Sequence, residues 1–204
     1  GRLISRERVL DALWPELESD AAANNLRVTL SRLYKALEPE RPEGAPSYYI
    51  QQHGDSYGFN VDSDYEIDAA NFVEAVTAGQ RAEELERREE AIQHYREAIS
   101  YYNGPFLPDS LYEDWSVIER ERLGLLFNLA ALRLGELLLQ SNQIHEAMGL
   151  AWRVLEHDEA QEEAYRLLMR AHASLGERSI ALRLYQRCVK MLAEELGVEP
   201  MPET

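Results

Sequence analysis

The strongest constraint on how this chain can fold is a repeat. Leu134-Gly135…Ala147…Ala151…Val154 matches Leu168-Met169…Ala181…Tyr185…Cys188 at an offset of 34 residues. The Leu and the first Ala are identical, and the other pairs keep spacing and broadly apolar character. Gly79…Ala91…Tyr95…Ala98 repeats the internal spacings 56 residues ahead of Gly135, and an insertion from about Asn103 to Gly124 accounts for the 22 surplus residues. Apolar residues recur at three- and four-residue steps in Ile92-Tyr95-Ile99, Leu134-Leu137-Leu138 and Leu182-Tyr185-Val189. That is the period of a buried helical face.

Breakers separate these runs: Asn103-Gly104-Pro105, Pro108, Ser141-Asn142, Gly176 and Gly197. Six helices are therefore expected, over 67–79, 83–102, 110–140, 144–157, 161–175 and 178–196, the third bending or breaking near Gly124. Thirty-four residues is the period of the tetratricopeptide (TPR) repeat. A small Ala at one point of each second helix lets two helices approach closely. Residues four and seven later then fill the groove toward the next repeat.

Residues 1–60 have a different character. Ser5 can cap a short helix that ends at Trp14, with Val9, Leu10 and Leu13 inward and Pro15 stopping it. Asp20 can cap a second, amphipathic helix that runs to about Leu37. A Pro-rich loop spans Pro39 to Pro46. Two aromatic-rich runs, Tyr48-Tyr49-Ile50-Gln51-Gln52 and Tyr57-Gly58-Phe59-Asn60-Val61, then flank His53-Gly54-Asp55-Ser56, which predicts a β-hairpin. Helix, turn, helix, hairpin is the outline of a winged helix. The expected fold is mainly α: a truncated winged helix-turn-helix with a hairpin wing over 1–61, followed by a TPR-like all-α domain over 62–204.

Charge follows the same division. The chain carries 21 Lys and Arg against 37 Asp and Glu, a net of -16. As a single number this repels a polyanionic partner. Resolved by segment, residues 1–60 hold 7 basic and 9 acidic side chains, whereas 61–204 hold 14 and 28. No acidic residue interrupts 21–37. On a helical wheel Leu26, Leu30, Leu33 and Leu37 form one stripe, expected to be buried. The opposite arc holds Asn24, Arg27, Val28, Ser31, Arg32 and Lys35, with Asn25 and Thr29 at its edge. Arg and Lys suit phosphates or guanine edges, Asn suits adenine, and Ser, Thr and Val make small polar or methyl contacts. The Debye length is about 8 Å at physiological ionic strength, so local sign outweighs acidic groups a domain away.

Catalytic chemistry finds no support. His53, His94, His145, His157 and His172 are scattered without ligand spacing, so no metal or other cofactor is expected. His157 closes a predicted helix, where a cation is favourable. Cys188, the one cysteine, falls at a repeat packing position; it fits a reducing cytoplasm and reads as core rather than nucleophile. There is no GxxxxGK[ST] or GxGxxG loop. No run of eighteen apolar residues occurs, so no membrane span is expected. The first residues, Gly1-Arg2-Leu3-Ile4-Ser5, carry no Met and no apolar signal core, and read as a piece cut from something longer.

Gly1-Arg2-Leu3-Ile4-Ser5-Arg6-Glu7…Asp11-Ala12-Leu13-Trp14-Pro15-Glu16, followed by Asn24-Asn25-Leu26-Arg27-Val28-Thr29-Leu30-Ser31-Arg32-Leu33, resembles the OmpR-type winged helix of the Streptomyces antibiotic regulatory protein (SARP) activators. The remainder resembles the bacterial transcriptional activator domain (BTAD) of that family. Its marks are Tyr101-Tyr102-Asn103-Gly104-Pro105-Phe106-Leu107, Trp115 with Arg120-Glu121-Arg122-Leu123, and the ending Glu195-Leu196-Gly197-Val198-Glu199-Pro200. Together they cover essentially the whole chain.

The resemblance implies a transcriptional activator that binds double-stranded promoter DNA, often in pairs on direct repeats, and contacts RNA polymerase or another protein. It carries the recognition positions onto Arg27, Val28, Ser31, Arg32 and Lys35, with the wing at His53–Tyr57. Asp55 stands in that wing where a basic residue would suit phosphate better. The strands and first helix that the family places ahead of Gly1–Glu7 are not in this sequence, which leaves Leu10, Leu13 and the Leu26/Leu30/Leu33 stripe partly uncovered. The alternative is a protein-interaction scaffold, in which the helical lobe binds a partner and DNA binding is lost.

Overall fold

The computed structural model describes residues 3–42, 44–110 and 114–204. Gly1 and Arg2, at the head of the first motif, lie outside the described residues. The chain divides into two compact units, Gly1–Tyr65 and Glu66–Thr204.

In the first unit, β1 (Ile4–Ser5) runs directly into α1 (Arg6–Leu13). Ser5 caps that helix as expected, its hydroxyl accepting from the Arg8 N–H at 3.4 Å. Pro15 follows the last turn, which Trp14 closes on the Leu10 carbonyl. The second helix, α2 (Ser19–Leu37), starts one residue before the expected cap. Ala22 already donates to the Glu18 carbonyl, so Asp20 sits inside the first turn and complements the helix dipole there. The expected hairpin is present as β2 (Ile50–His53) and β3 (Ser56–Phe59), turning at Gly54-Asp55 with Gly54 at φ 58°. β1 pairs with the far side of β3, Ile4 opposite Tyr57, and completes an antiparallel sheet in the order β1-β3-β2. The Pro-rich loop is closed by Glu38, whose carboxylate accepts from Ser47 Oγ at 2.5 Å and from the Tyr48 N–H at 2.7 Å. Those bonds hold its carboxyl below the usual range.

The second unit contains α3 (Asp68–Glu84), α4 (Arg88–Tyr101), α5 (Asp114–Gln140), α6 (Ile144–His157), α7 (Glu162–Ser174) and α8 (Arg178–Glu195). They form three helix hairpins, α3/α4, α5/α6 and α7/α8, stacked in sequence order. The first helix runs past Gly79 to Glu84, because Gly79 serves packing and does not end the helix. An added Cβ there would lie 2.7 Å from the ring of Tyr95 on α4. Gly135 does the same between α5 and α7, where a Cβ would lie 2.4 Å from Leu167. Ala91, Tyr95 and Ala98, with Ala147, Ala151 and Val154, are fully buried. α5 is unbroken at Gly124, which is kept small by the His157 ring 2.7 Å from its Cβ direction. Of the expected start of this helix, residue 110 belongs to a 3-10 turn (Pro108–Ser110), and 111–113 lie outside the described residues.

One expectation is corrected on the last helix. Leu182 and Tyr185 are 55% and 40% exposed, and the buried face of α8 is Leu184, Cys188 and Leu192. Tyr185 sits at the position that fills the groove toward a following repeat, and among the described residues no further helix covers α8. Beyond Leu123, α5 carries only two charged residues, Arg133 and Glu136. The helix over Trp115–Gln140 is long and apolar enough to cross a membrane by length and composition, with mean hydropathy 1.4, and more than half of that stretch is buried in the lobe. It is the central core helix, packed on α3, α4, α6 and α7.

Ion pairs tie neighbouring hairpins together. Arg133 on α5 meets Glu83 on α3 at 2.6 Å, and Arg170 on α7 meets Glu136 on α5 at 2.6 Å. Arg96 on α4 meets Glu146 on α6 at 2.7 Å. The Glu83 carboxylate also accepts from the Tyr95 hydroxyl at 2.7 Å, and burial together with that bond raises the phenol pKa.

The two kinds of glycine predict opposite mutational signs. Gly79→Ala must displace a buried aromatic ring and should cost about 1–3 kcal/mol, whereas Gly149→Ala in α6, with open space at its Cβ, should gain up to about 1 kcal/mol. Urea unfolding of the two variants checks both signs. A second expectation concerns pH. Arg96 holds the Glu146 carboxyl below its ordinary value of 4.5. The pair therefore stabilises the fold above that value and loses its effect as pH falls through the lowered one. Arg96→Gln should lower the melting temperature at pH 7, with the difference from wild type vanishing on acidification below the carboxylate range.

Candidate nucleic-acid interface

The residues expected to face DNA lie on the second helix of the first unit, and α2 exposes them as the wheel predicts. Asn24, Arg27, Val28, Ser31, Arg32 and Lys35 are all solvent-exposed, as is Thr29; Asn25 is half-buried. The opposite stripe is only partly covered. Leu26 is buried with Ala22 and Leu30 is half-buried, but Leu33 and Leu37 are 37% and 40% exposed. The eight-residue α1 is too short to cover the C-terminal half of α2.

The hairpin divides the exposed arc of α2 into two halves. A cleft of about 680 Å3 runs between α2 and the hairpin. Asn24, Arg27 and Ser31 line it from the helix, and Gln52, Asp55 and Tyr57 line it from the strands and their turn. Arg27 donates to Asn24 Oδ1 at 2.7 Å across one helical turn, which pre-orients both side chains. Val28, Arg32 and Lys35 do not line the cleft. His53 is exposed at the end of β2 and lines a different depression, with Tyr34, Arg41 and the Pro46-Ser47 loop.

The cleft also contains residues that sequence reasoning did not single out. Tyr34 lies at its floor, its phenol pKa raised by burial and by the neighbouring Tyr57, and the Arg41 guanidinium sits 4.7 Å over its ring. Gln52 lines the cleft and donates to the Gly54 carbonyl at 3.2 Å. Arg6 lines it as well, its N–H bound to the Asp55 carbonyl at 2.7 Å. Two acids, Asp20 and Asp55, share the cleft with Arg27. Alternation in the hairpin could have flagged Gln52; nothing local places Arg6 beside α2, since strand pairing brings it there.

Elsewhere the side chains that could have carried other chemistry are accounted for by packing. Cys188 is fully buried, and burial pushes its thiol up to about 11. His157 does more than end α6: its ring packs against Gly124 and Phe127, with Nε2 3.5 Å from the Tyr102 hydroxyl. Among the described residues no group of three His, Cys, Asp or Glu could hold a metal ion.

Similarity to known proteins bears on the whole chain. Regulatory protein AfsR of Streptomyces coelicolor is 27% identical over 203 residues, covering 99% of this chain and 19% of AfsR. Transcriptional regulatory protein EmbR of Mycobacterium tuberculosis is 25% identical over 209 residues, covering 99% of this chain and 51% of EmbR. The chain thus spans about half or less of the curated relatives it matches. Among solved structures, Mycobacterium tuberculosis EmbR in complex with a low affinity phosphopeptide superimposes with a TM-score of 0.79 at 23% identity, over 100% of this chain and 53% of that one. The TPR-containing domain of a putative Plasmodium falciparum FK506-binding protein superimposes with a TM-score of 0.51 at 18% identity, over 67% of this chain and 86% of that one. Those likenesses show a mainly helical fold with a small antiparallel sheet and a TPR-like lobe. The model of the bacterial transcriptional activator domain matches residues 67–204, so the chain belongs to the bacterial transcriptional activator domain family of transcriptional regulators.

Proposed function

We propose that this chain is the DNA-binding and protein-contacting part of a cytoplasmic transcriptional activator. In this reading α2 enters the major groove of promoter DNA and the TPR-like lobe makes the protein contacts. The observation that carries the reading is the acid-free, solvent-exposed arc of α2, which carries Asn24, Arg27, Val28, Ser31, Arg32 and Lys35. The Arg27–Asn24 hydrogen bond supports base reading, because it pre-orients both side chains on one face of the helix. Arg32 and Lys35, which do not line the cleft, suit phosphate contacts that set register. Asp55 makes the hairpin turn the weaker half of the interface, so α2 carries most of the contact.

Gel shifts on a promoter fragment carrying a direct repeat, using the protein as its gene encodes it, test this. Arg27→Ala should relax one base position by about 1–3 kcal/mol. Lys35→Ala should weaken all sequences alike and lower the salt slope of binding by about 0.9. Loss of neither property in any variant of the arc would remove α2 from the contact. Undetectable binding to double-stranded DNA would favour the scaffold reading, in which only the helical lobe works.

A further inference from the structure

The residues that mark the family most clearly, Tyr101 to Leu107 and Arg120 to Leu123, flank the one connection of the lobe that the repeat does not require. The other connections of the lobe take three or four residues, whereas the one from α4 to α5 takes twelve. A helix stack gains nothing from this extra length, yet its described part is held in place by specific bonds. Arg120 donates from Nε to the Phe106 carbonyl at 2.9 Å, and from one terminal nitrogen to the Ser110 carbonyl at 2.9 Å and to Ser116 Oγ at 2.8 Å. Ser116 is fully buried. Leu107 is held at φ 50°, a conformation that a leucine adopts only under constraint.

This stapled loop forms one wall of a cavity of about 320 Å3. Phe106 and Leu107 face it from the loop, Phe72 from α3, Tyr102 from the end of α4 and Leu123 from α5. Phe72 and Tyr102 lie 5.4 Å apart, and Tyr102 stacks on Phe127 at 4.4 Å, so the inner wall is an aromatic cluster. Among the described residues that line the cavity, Asp68 alone is charged. Arg120 is engaged with the loop carbonyls and Arg153 with the Tyr102 carbonyl at 3.0 Å. The lobe around the cavity holds 28 acidic against 14 basic side chains over 61–204.

We propose that this cavity is a docking site for a basic peptide segment of a partner protein, which inserts one aromatic side chain beside Phe72 and Tyr102 and places a flanking Lys or Arg against Asp68. The volume is ample for an aromatic side chain. An aromatic guest would gain ring–ring contacts beyond its area burial. The acidic lobe supplies the charge complementarity that selects a basic flank. The site deepens the protein-contact half of the function proposed above and rests on it, while the DNA contact of α2 is independent of it.

Fluorescence polarisation of the 204-residue chain with three labelled peptides tests the site. They are Gly-Lys-Arg-Phe-Arg-Lys-Gly, the same peptide with Ala for Phe, and the same peptide with Glu at the four basic positions. Saturable binding is expected for the first, with affinities lower by about tenfold or more for the other two. Ala69→Leu, which fills the cavity from α3, should lower binding of the first peptide by about tenfold and leave the gel shift on promoter DNA unchanged. Asp68→Asn, which keeps the shape, should weaken only the basic peptides and lower the salt sensitivity of their binding. Equal binding of the Phe and Ala peptides, no saturable binding, or full binding by a folded Ala69→Leu variant would each overturn the site. If Ala69→Leu does not fold, unchanged binding by Asp68→Asn overturns it instead. A failed peptide assay with an intact gel shift removes the site and leaves the DNA reading standing.

Discussion

The helical lobe depends on helices that approach one another where a side chain is missing. At Gly79 the Tyr95 ring occupies the space a Cβ would need, and at Gly135 the Leu167 side chain does so. Each approach buries a whole residue on the facing helix, Tyr95 and Leu167 both being fully enclosed. Dispersion and apolar burial are strongest at such distances, and close packing leaves no slack for an added methyl. The cross-hairpin ion pairs follow from this. Arg133 reaches Glu83, and Tyr95 shares the same carboxylate, only because α3, α4 and α5 are already held together. The arginines of these pairs are about half exposed, so the pairs fix register more than they add stability.

The connection from α4 to α5 follows a different logic. It is not dictated by the repeat, and its order comes from one guanidinium that satisfies loop carbonyls otherwise without helical partners. A lysine could not replace Arg120 there, because a single ammonium does not present several planar donors toward separate carbonyls. The same lobe carries nearly all of the chain's net negative charge, -14 of -16. In the proposed reading, charge and loop together suit the second unit to basic protein segments, while the acid-free face of α2 suits the first unit to DNA. Screening within about 8 Å lets both preferences coexist in one chain.

Much of this was legible in advance for a physical reason. Ala91, Ala147 and the glycines at 79 and 135 recur at fixed spacing because helix pitch and close approach leave few residue choices, so a period in the sequence reports a geometry in space. The cap at Ser5 and the turn at Gly54 were legible for the same local reasons. What failed was any inference that needed to know a neighbour. Leu182 and Tyr185 have the period of a buried face, but burial needs a covering element, and Leu184, Cys188 and Leu192 have one. Gly124 looked like a break because glycine weakens an isolated helix, whereas here the His157 ring fills the space beside it. On α2 the exposed arc was read correctly as exposed, but not that the hairpin would take Asn24, Arg27 and Ser31 into a cleft and leave Val28, Arg32 and Lys35 outside.

The sequence by itself determined the number and order of the helices, the two-part organisation of charge, and which face of α2 is polar. These follow from periodicities that act over four to thirty-four residues and survive without any contact map. Tertiary structure alone decided that Arg6 stands beside α2, that Asp20 and Asp55 share a cleft with Arg27, and that the family's marker residues enclose a cavity beside Asp68. Those juxtapositions join residues far apart in the chain through strand pairing and a guanidinium bridge, and no local spacing encodes them.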